Sequence, residues 1–199
     1  MKTFLLALLL LAPLPAISAP KTLVIVGDSL TEGYGVAQEQ AYPSLLEKKL
    51  KDAGKDWKVV NSGVSGSTSA SGPGRVEWAL KGKPDALLLA LGANDGLRGL
   101  STVEMEKNLR KAVQIAKRAG VKVFLAGMMM PPNYGEKYAK EFKAVFASVA
   151  KAEKVELLTF LLDKVGGDSK LNLADGIHPN EEGHRVMADS VFAFLKGKL

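Results

Sequence analysis

The sequence predicts an α/β protein: a three-layer α/β/α sandwich around a five-stranded, flavodoxin-like parallel sheet. Three observations lead there. Five short apolar segments alternate with longer ones whose apolar residues recur at helical spacing. Two of the five, residues 23–26 and 86–91, are unbroken apolar runs, the pattern of strands buried on both faces of a parallel sheet. Several of the segments end in Gly, Asn, Asp or Ser, and open parallel sheets bind ligands outside the carboxyl ends of their strands. Right-handed crossovers limit the topologies, and a 2-1-3-4-5 strand order places the switch point between strands one and three.

Strand one is the apolar run in TLVIVGDSLTE, residues 22–32. Gly27 lets the chain turn where the strand stops, and Asp28 and Ser29 follow at once. A Gly-punctuated stretch with Gly33 and Gly35 leads to Tyr42-Pro43, and Pro43 suits the first turn of a helix. Leu45, Leu46 and Leu50 continue that helix to Gly54. Strand two covers 57–60, and a Gly/Ser-rich loop, 61–74, follows. A helix over 75–81 precedes strand three at 86–91, which ends in Gly92-Ala93-Asn94-Asp95-Gly96. Residues 102–119 form an amphipathic helix stopped by Gly120, and strand four is 121–126. Residues 128–135, MMMPPNYG, form a loop before a helix over 136–151. A weaker fifth strand spans 155–160, and the last helix runs from 181 to 195.

Residues 1–19 read differently. Lys2 precedes an almost purely apolar stretch, and small residues follow at Ala16, Ser18 and Ala19. This is the pattern of a secretory signal peptide cleaved after Ser18 or Ala19, too short for a membrane span. Residues 20–199 are then one domain, exported to a periplasm or secreted, with no integral membrane segment; a monomer is favoured. The chain has no cysteine and two histidines, which leaves no thiol nucleophile, no cysteine-ligated metal and no all-histidine zinc site. No metal or other cofactor is expected. The net charge is +6, and the lysines are interspersed with acids along helical segments, as on a solvated surface. No basic cluster interleaves with aromatics, so nucleic acid is not an expected partner.

Four segments fall at strand ends. Ser29 follows strand one, Gly66 strand two and Asn94 strand three, while Asp175 and His178 follow strand five. A serine hydroxyl is a weak nucleophile until a base takes its proton, and an imidazole can take that proton and return it to a leaving group. A carboxylate fixes the imidazole tautomer and stabilises its charged form. Asp175 stands three residues before His178, with Gly176 and Pro179 shaping the turn, so one short loop can hold both. Donors for a tetrahedral oxyanion are the N–H groups of Ser29 and Gly66 and the side-chain amide of Asn94. The second Gly-Asp-Ser, residues 167–169, has no buried strand before it and reads as a loop. Ser65 follows the wrong element for a nucleophile. Asp28 reads as a turn or cap residue, Asp95 as a support for its own loop, and His184 as a surface or capping histidine.

The blocks GDSLTEGYG, NSGVSGSTS, LGANDGLRG and DGIHPN, in this order, resemble the SGNH (GDSL) hydrolases over residues 22–195. The resemblance is strongest to bacterial periplasmic arylesterases, acyl-CoA thioesterases and lysophospholipases. It implies a nucleophile at Ser29, a base at His178, a third triad member at Asp175, and an oxyanion hole at Ser29, Gly66 and Asn94. It also implies hydrolysis of carboxylic esters or thioesters, lysophospholipids included, through an acyl-enzyme. Position 67, often acidic in these relatives, is serine here. Methionine adapts to varied apolar shapes, so Met129 and Pro131 in the 128–135 loop, with Leu97 opposite, are expected to line an acyl pocket. Two other readings remain open at this level: a carbohydrate O-acetyl esterase, and a non-catalytic module holding a nucleotide or flavin on the 62–74 loop.

Overall fold

The strands that the sequence marks as apolar on both faces occupy the interior of the sheet. The computed structural model describes residues 19–199, so the expected export signal lies, but for Ala19, outside the described residues. Five parallel strands run in the order β2-β1-β3-β4-β5, with β1 Lys21–Gly27, β2 Trp57–Gly63, β3 Ala86–Ala90, β4 Lys122–Ala126 and β5 Glu156–Leu158. All of β3 is buried, as are residues 23–27 of β1, because each has a strand on both sides and helices above and below. Trp57–Gly63 lies at an edge and alternates between half-buried and exposed positions over its first half.

The main helices are α2 Tyr42–Asp52, α3 Gly72–Ala79, α5 Thr102–Arg118, α6 Glu136–Glu153 and α7 Glu181–Leu195; two short ones, α1 Ser29–Glu32 and α4 Ala93–Leu97, stand at strand ends. Helices α2 and α7 pack together on one face, and α3, α5 and α6 form the layer on the other. Each long helix turns a stripe of apolar residues inward, as Leu109, Ala112, Val113 and Ala116 do on α5. The ends follow ordinary capping chemistry. The Ser101 hydroxyl accepts from Glu104 N–H at the start of α5, and the Asn180 side chain accepts from Gly183 N–H at the start of α7.

The element boundaries depart from the sequence reading at several places. Strand β2 continues through Asn61, Ser62 and Gly63, because Gly63 is in register with Gly27 and the next N–H, from Val64, still reaches the Gly27 carbonyl. Helix α3 starts at Gly72, three residues earlier than read. Val155 closes the C-terminus of α6, its N–H on the Ala150 carbonyl after Lys154 adopts a left-handed conformation, so β5 is only three residues long. Helices α1 and α4 replace what reads as loop.

Of the two readings of His184, the surface one is corrected, while a capping role is kept toward the Tyr42 N–H at the start of α2. The residue is 1% exposed, not on the surface, because α7 lays this side against α2. Its Nδ1 accepts the Tyr42 N–H at 3.3 Å, and its ring stacks on Tyr42 with centroids 6.3 Å apart. Its Nε2 is the one buried side-chain polar atom without a partner among the described residues. Burial pushes its pKa down to about 4.

Candidate active site

The carboxyl ends of all five strands and the loop before α7 border one cleft of about 710 Å³. At the end of β1, Gly27 has no room for a side chain: a Cβ there would lie 1.9 Å from Thr31 Oγ1. Asp28 caps α1, its Oδ1 accepting the Leu30 N–H at 3.1 Å, so the cap reading of this residue holds. Burial raises the Asp28 carboxyl to about 6, against the opposing pull of the Leu30 N–H and the nearby His178 and Arg75. Ser29 is thereby the first residue of a helix, where backbone N–H groups have no intrahelical acceptor.

The Ser29 Oγ lies 3.0 Å from His178 Nε2, and His178 Nδ1 lies 2.8 Å from Asp175 Oδ2. Asp175 is locked in turn by its other oxygen, which accepts the N–H groups of Ile177 and His178, each at 3.0 Å. The His178 side chain and those N–H groups hold the Asp175 carboxyl down at about 2, so it is ionised at neutral pH. The turn is tied at both ends: Leu173 N–H donates to the His178 carbonyl at 2.7 Å, and Gly176 N–H donates to Leu173. A hydroxyl, an imidazole and a carboxylate in this line can pass a proton from oxygen to nitrogen while the carboxylate supports the resulting charge.

Gly66 and Asn94 line the same cleft. Gly66 has φ +76, its carbonyl accepts from Arg98 at 3.0 Å, and its N–H has no acceptor among the described residues. Asn94 Nδ2 spends one hydrogen on the Ser67 carbonyl at 3.1 Å, which leaves its second available. The two segments are riveted together one residue further along, where the buried Asp95 carboxylate accepts both the N–H and the hydroxyl of Ser69, at 2.8 and 2.5 Å. Asp95 therefore supports the neighbouring loop rather than only its own.

Several supporting residues are not evident in the sequence. Arg75 of α3 donates to the Gly27 carbonyl at 2.6 Å, to Ser67 Oγ at 2.9 Å and to the Ser62 carbonyl, clamping the ends of β1 and β2 to the Gly66 loop. Ser67, the departure from the relatives' acidic residue, thus still takes part in holding that loop. Glu32 accepts the N–H of Ser65 at 2.7 Å and also its hydroxyl, so Ser65 is engaged away from the His178 imidazole. Tyr34 sets its ring against His178 with centroids 4.6 Å apart. Most of these join residues far apart in sequence, which no local pattern announces. The second Gly-Asp-Ser lies in turns, with Asp168 accepting the Lys170 N–H, as its context suggests.

The far end of the cleft is apolar. Met128, Met129 and Pro131 follow β4, Phe160 and Leu162 follow β5, and Leu97 projects from α4. The three residues expected to line an acyl pocket, Leu97, Met129 and Pro131, all border this space. Among the described residues no cluster of three His, Cys, Asp or Glu side chains is arranged to hold a metal ion.

Residues 25–186 match the model of the GDSL-like lipase/acylhydrolase family. Esterase TesA of Pseudomonas aeruginosa is 41% identical over 180 residues, 90% of each chain. The thioesterase 1/protease 1/lysophospholipase L1 of Escherichia coli K12 is 38% identical over 173 residues, covering 86% of this chain and 82% of that one. Among solved structures, a crystal structure of TesA superimposes with a TM-score of 0.87 at 40% identity, covering 90% of this chain and all of that one.

Proposed function

The chain belongs to the GDSL-like lipase/acylhydrolase family, and we propose that it hydrolyses carboxylic esters and thioesters through an acyl-enzyme on Ser29. The observation that carries this reading is the unbroken line from Ser29 Oγ through His178 to Asp175, at 3.0 and 2.8 Å. His178 Nε2 takes the hydroxyl proton as Ser29 Oγ bonds to the acyl carbon. Asp175 holds the Nδ1 proton and balances the charge on the imidazolium. The N–H groups of Ser29 and Gly66 and the Asn94 amide donate to the oxyanion. As the tetrahedral species collapses, the bond to the leaving oxygen or sulfur breaks, and His178 returns its proton to that atom. A water then repeats the sequence with His178 as base, releasing the carboxylic acid and restoring Ser29.

The apolar end of the cleft supports a second part of the reading: Leu97, Met129 and Pro131 form the wall that receives the acyl chain, so small acyl esters and monoacyl lipids are the substrate class. The protein acts after export, as the Lys2 and apolar pattern of residues 1–19 supports.

The decisive test compares wild type with Ser29→Ala on p-nitrophenyl esters. Removing a nucleophile of this kind lowers kcat by about four orders of magnitude or more. A fluorophosphonate should add one equivalent to the wild type and none to the variant, read by intact mass. Turnover retained in Ser29→Ala would remove Ser29 from the mechanism.

A further inference from the structure

We propose that Tyr34 is the leaving-group subsite of this cleft and that it selects flat aromatic leaving groups over saturated ones of the same size. The proposal rests on the assignment of His178 as the proton donor to the leaving atom.

Tyr34 is placed by its neighbours rather than by its own side chain. It stands between two glycines in left-handed conformations, Gly33 at φ +88 and Gly35 at φ +81. A side chain at either position would be strained by the positive φ and would displace a neighbour. A Cβ on Gly33 would come within 2.5 Å of Ala41 Cβ, and one on Gly35 within 2.4 Å of Leu173 Cδ1. The N–H groups of Gly33 and Tyr34 both donate to the Ser29 carbonyl at 3.1 Å. The segment is thus tied on one side to the helix that carries Ser29. On the other it presses against Leu173, whose N–H holds the His178 carbonyl. The Tyr34 ring is positioned against the two groups that the reaction uses.

The ring is also free to receive something. It lies 4.6 Å from the His178 ring, tilted by 40°, yet it is 53% exposed and borders the cleft. Its hydroxyl makes no hydrogen bond among the described residues, so the phenol is not held there by a polar partner.

The direction of the reaction supplies the rest. To be protonated, the leaving oxygen must come within about 3 Å of His178 Nε2. Its substituent then lies beside the imidazole, where the open part of Tyr34 faces the cleft. The acyl chain is directed the other way, toward Met129 and Phe160 beyond the ends of β4 and β5. A flat ring on the leaving group can pair with Tyr34 at the 4.5–7 Å spacing that aromatic pairs adopt, whereas a puckered saturated ring gains contact area alone.

The test uses the purified enzyme with benzyl acetate and cyclohexylmethyl acetate, whose leaving alcohols match in size and are close in acidity. Specificity is the ratio of the two kcat/KM values, so any general loss of activity cancels. The wild type should favour the benzyl ester by about fivefold to tenfold, an aromatic pair's contribution expressed as a rate ratio. Tyr34→Phe should keep that ratio, because the ring and not the hydroxyl is used. Tyr34→Leu should bring it to within about twofold of unity. Thermal unfolding of each variant checks that the fold is kept. A ratio unchanged in Tyr34→Leu overturns the proposal, even if both rates drop, since Tyr34 would then only hold the imidazole in place. Failure of the underlying mechanism would show separately, as turnover or fluorophosphonate labelling retained in Ser29→Ala.

Discussion

Two buried ionisable side chains act in opposite directions on stability. His184 stays neutral in the folded protein down to about pH 4, whereas a histidine in the unfolded chain protonates near 6.5. As pH falls from 6.5 to 4, the unfolded state binds a proton that the folded state refuses, so stability is lost across that window. The span corresponds to at most about 3 kcal/mol. Asp28 has its carboxyl raised to about 6 by burial, so the folded state holds a proton that the unfolded state has already lost, and stability falls as pH rises from about 4 to 6. His184→Asn separates the two, because its amide oxygen can replace Nδ1 as acceptor for Tyr42 N–H without titrating. Urea unfolding at pH 7.5 and pH 4.5 should show a smaller acid loss in the variant than in wild type, by at least about 1 kcal/mol. Parallel pH dependences would show that His184 opens to solvent before it protonates. The pairing of Asp175 with His178 on one loop was legible because their spacing is local. The burial of His184 was not, because it depends on which helix covers α2.

At the scale of elements, the contact that decides the site is between β2 and the short helix carrying Ser29. A Cβ on Gly63 would lie 2.1 Å from Glu32 N, a backbone atom that cannot swing aside. Gly63→Ala must therefore push α1 away from β2, destabilising by about 1–3 kcal/mol, as overpacking does. It also displaces Ser29 from His178, with a loss of about tenfold to a hundredfold in kcat. The control is Gly74→Ala in α3, where a Cβ meets nothing within 4 Å and φ is not positive. That variant should gain about 0.5–1 kcal/mol from helix propensity and keep wild-type kcat. Thermal unfolding and p-nitrophenyl acetate hydrolysis of the two variants check this, and similar behaviour in both would refute the close-approach argument. Periodicity located all five strands and the long helices. It missed α1 and α4, because a helix of four or five residues has too few apolar positions to show a period and is held by its cap and its neighbours.

Across the whole molecule, the strand order turns separate sequence blocks into one cleft. Because β1 and β3 are central, Ser29 and Asn94 sit at adjacent strand ends, and the cleft can run on past β4 and β5 to an apolar end. Enlarging Met129 should shorten that end. Met129→Trp should lower the ratio of kcat/KM for p-nitrophenyl octanoate over acetate by about tenfold, comparable to losing room for two methylenes. An unchanged chain-length profile would place the acyl chain elsewhere. What the sequence determined alone were the properties written locally: five apolar strands, the helix faces, the turn at Gly27 and the four blocks bearing Ser29, Gly66, Asn94 and His178. Only the tertiary structure decided how these are supported: the Arg75 clamp, the Asp95–Ser69 tie, the burial of His184 and the seat of Tyr34 on His178. Each of those joins elements distant in the chain. A hydrogen bond or ring contact between such elements exists only once the packing of the layers brings them within a few ångströms, and no local pattern of residue types encodes that distance.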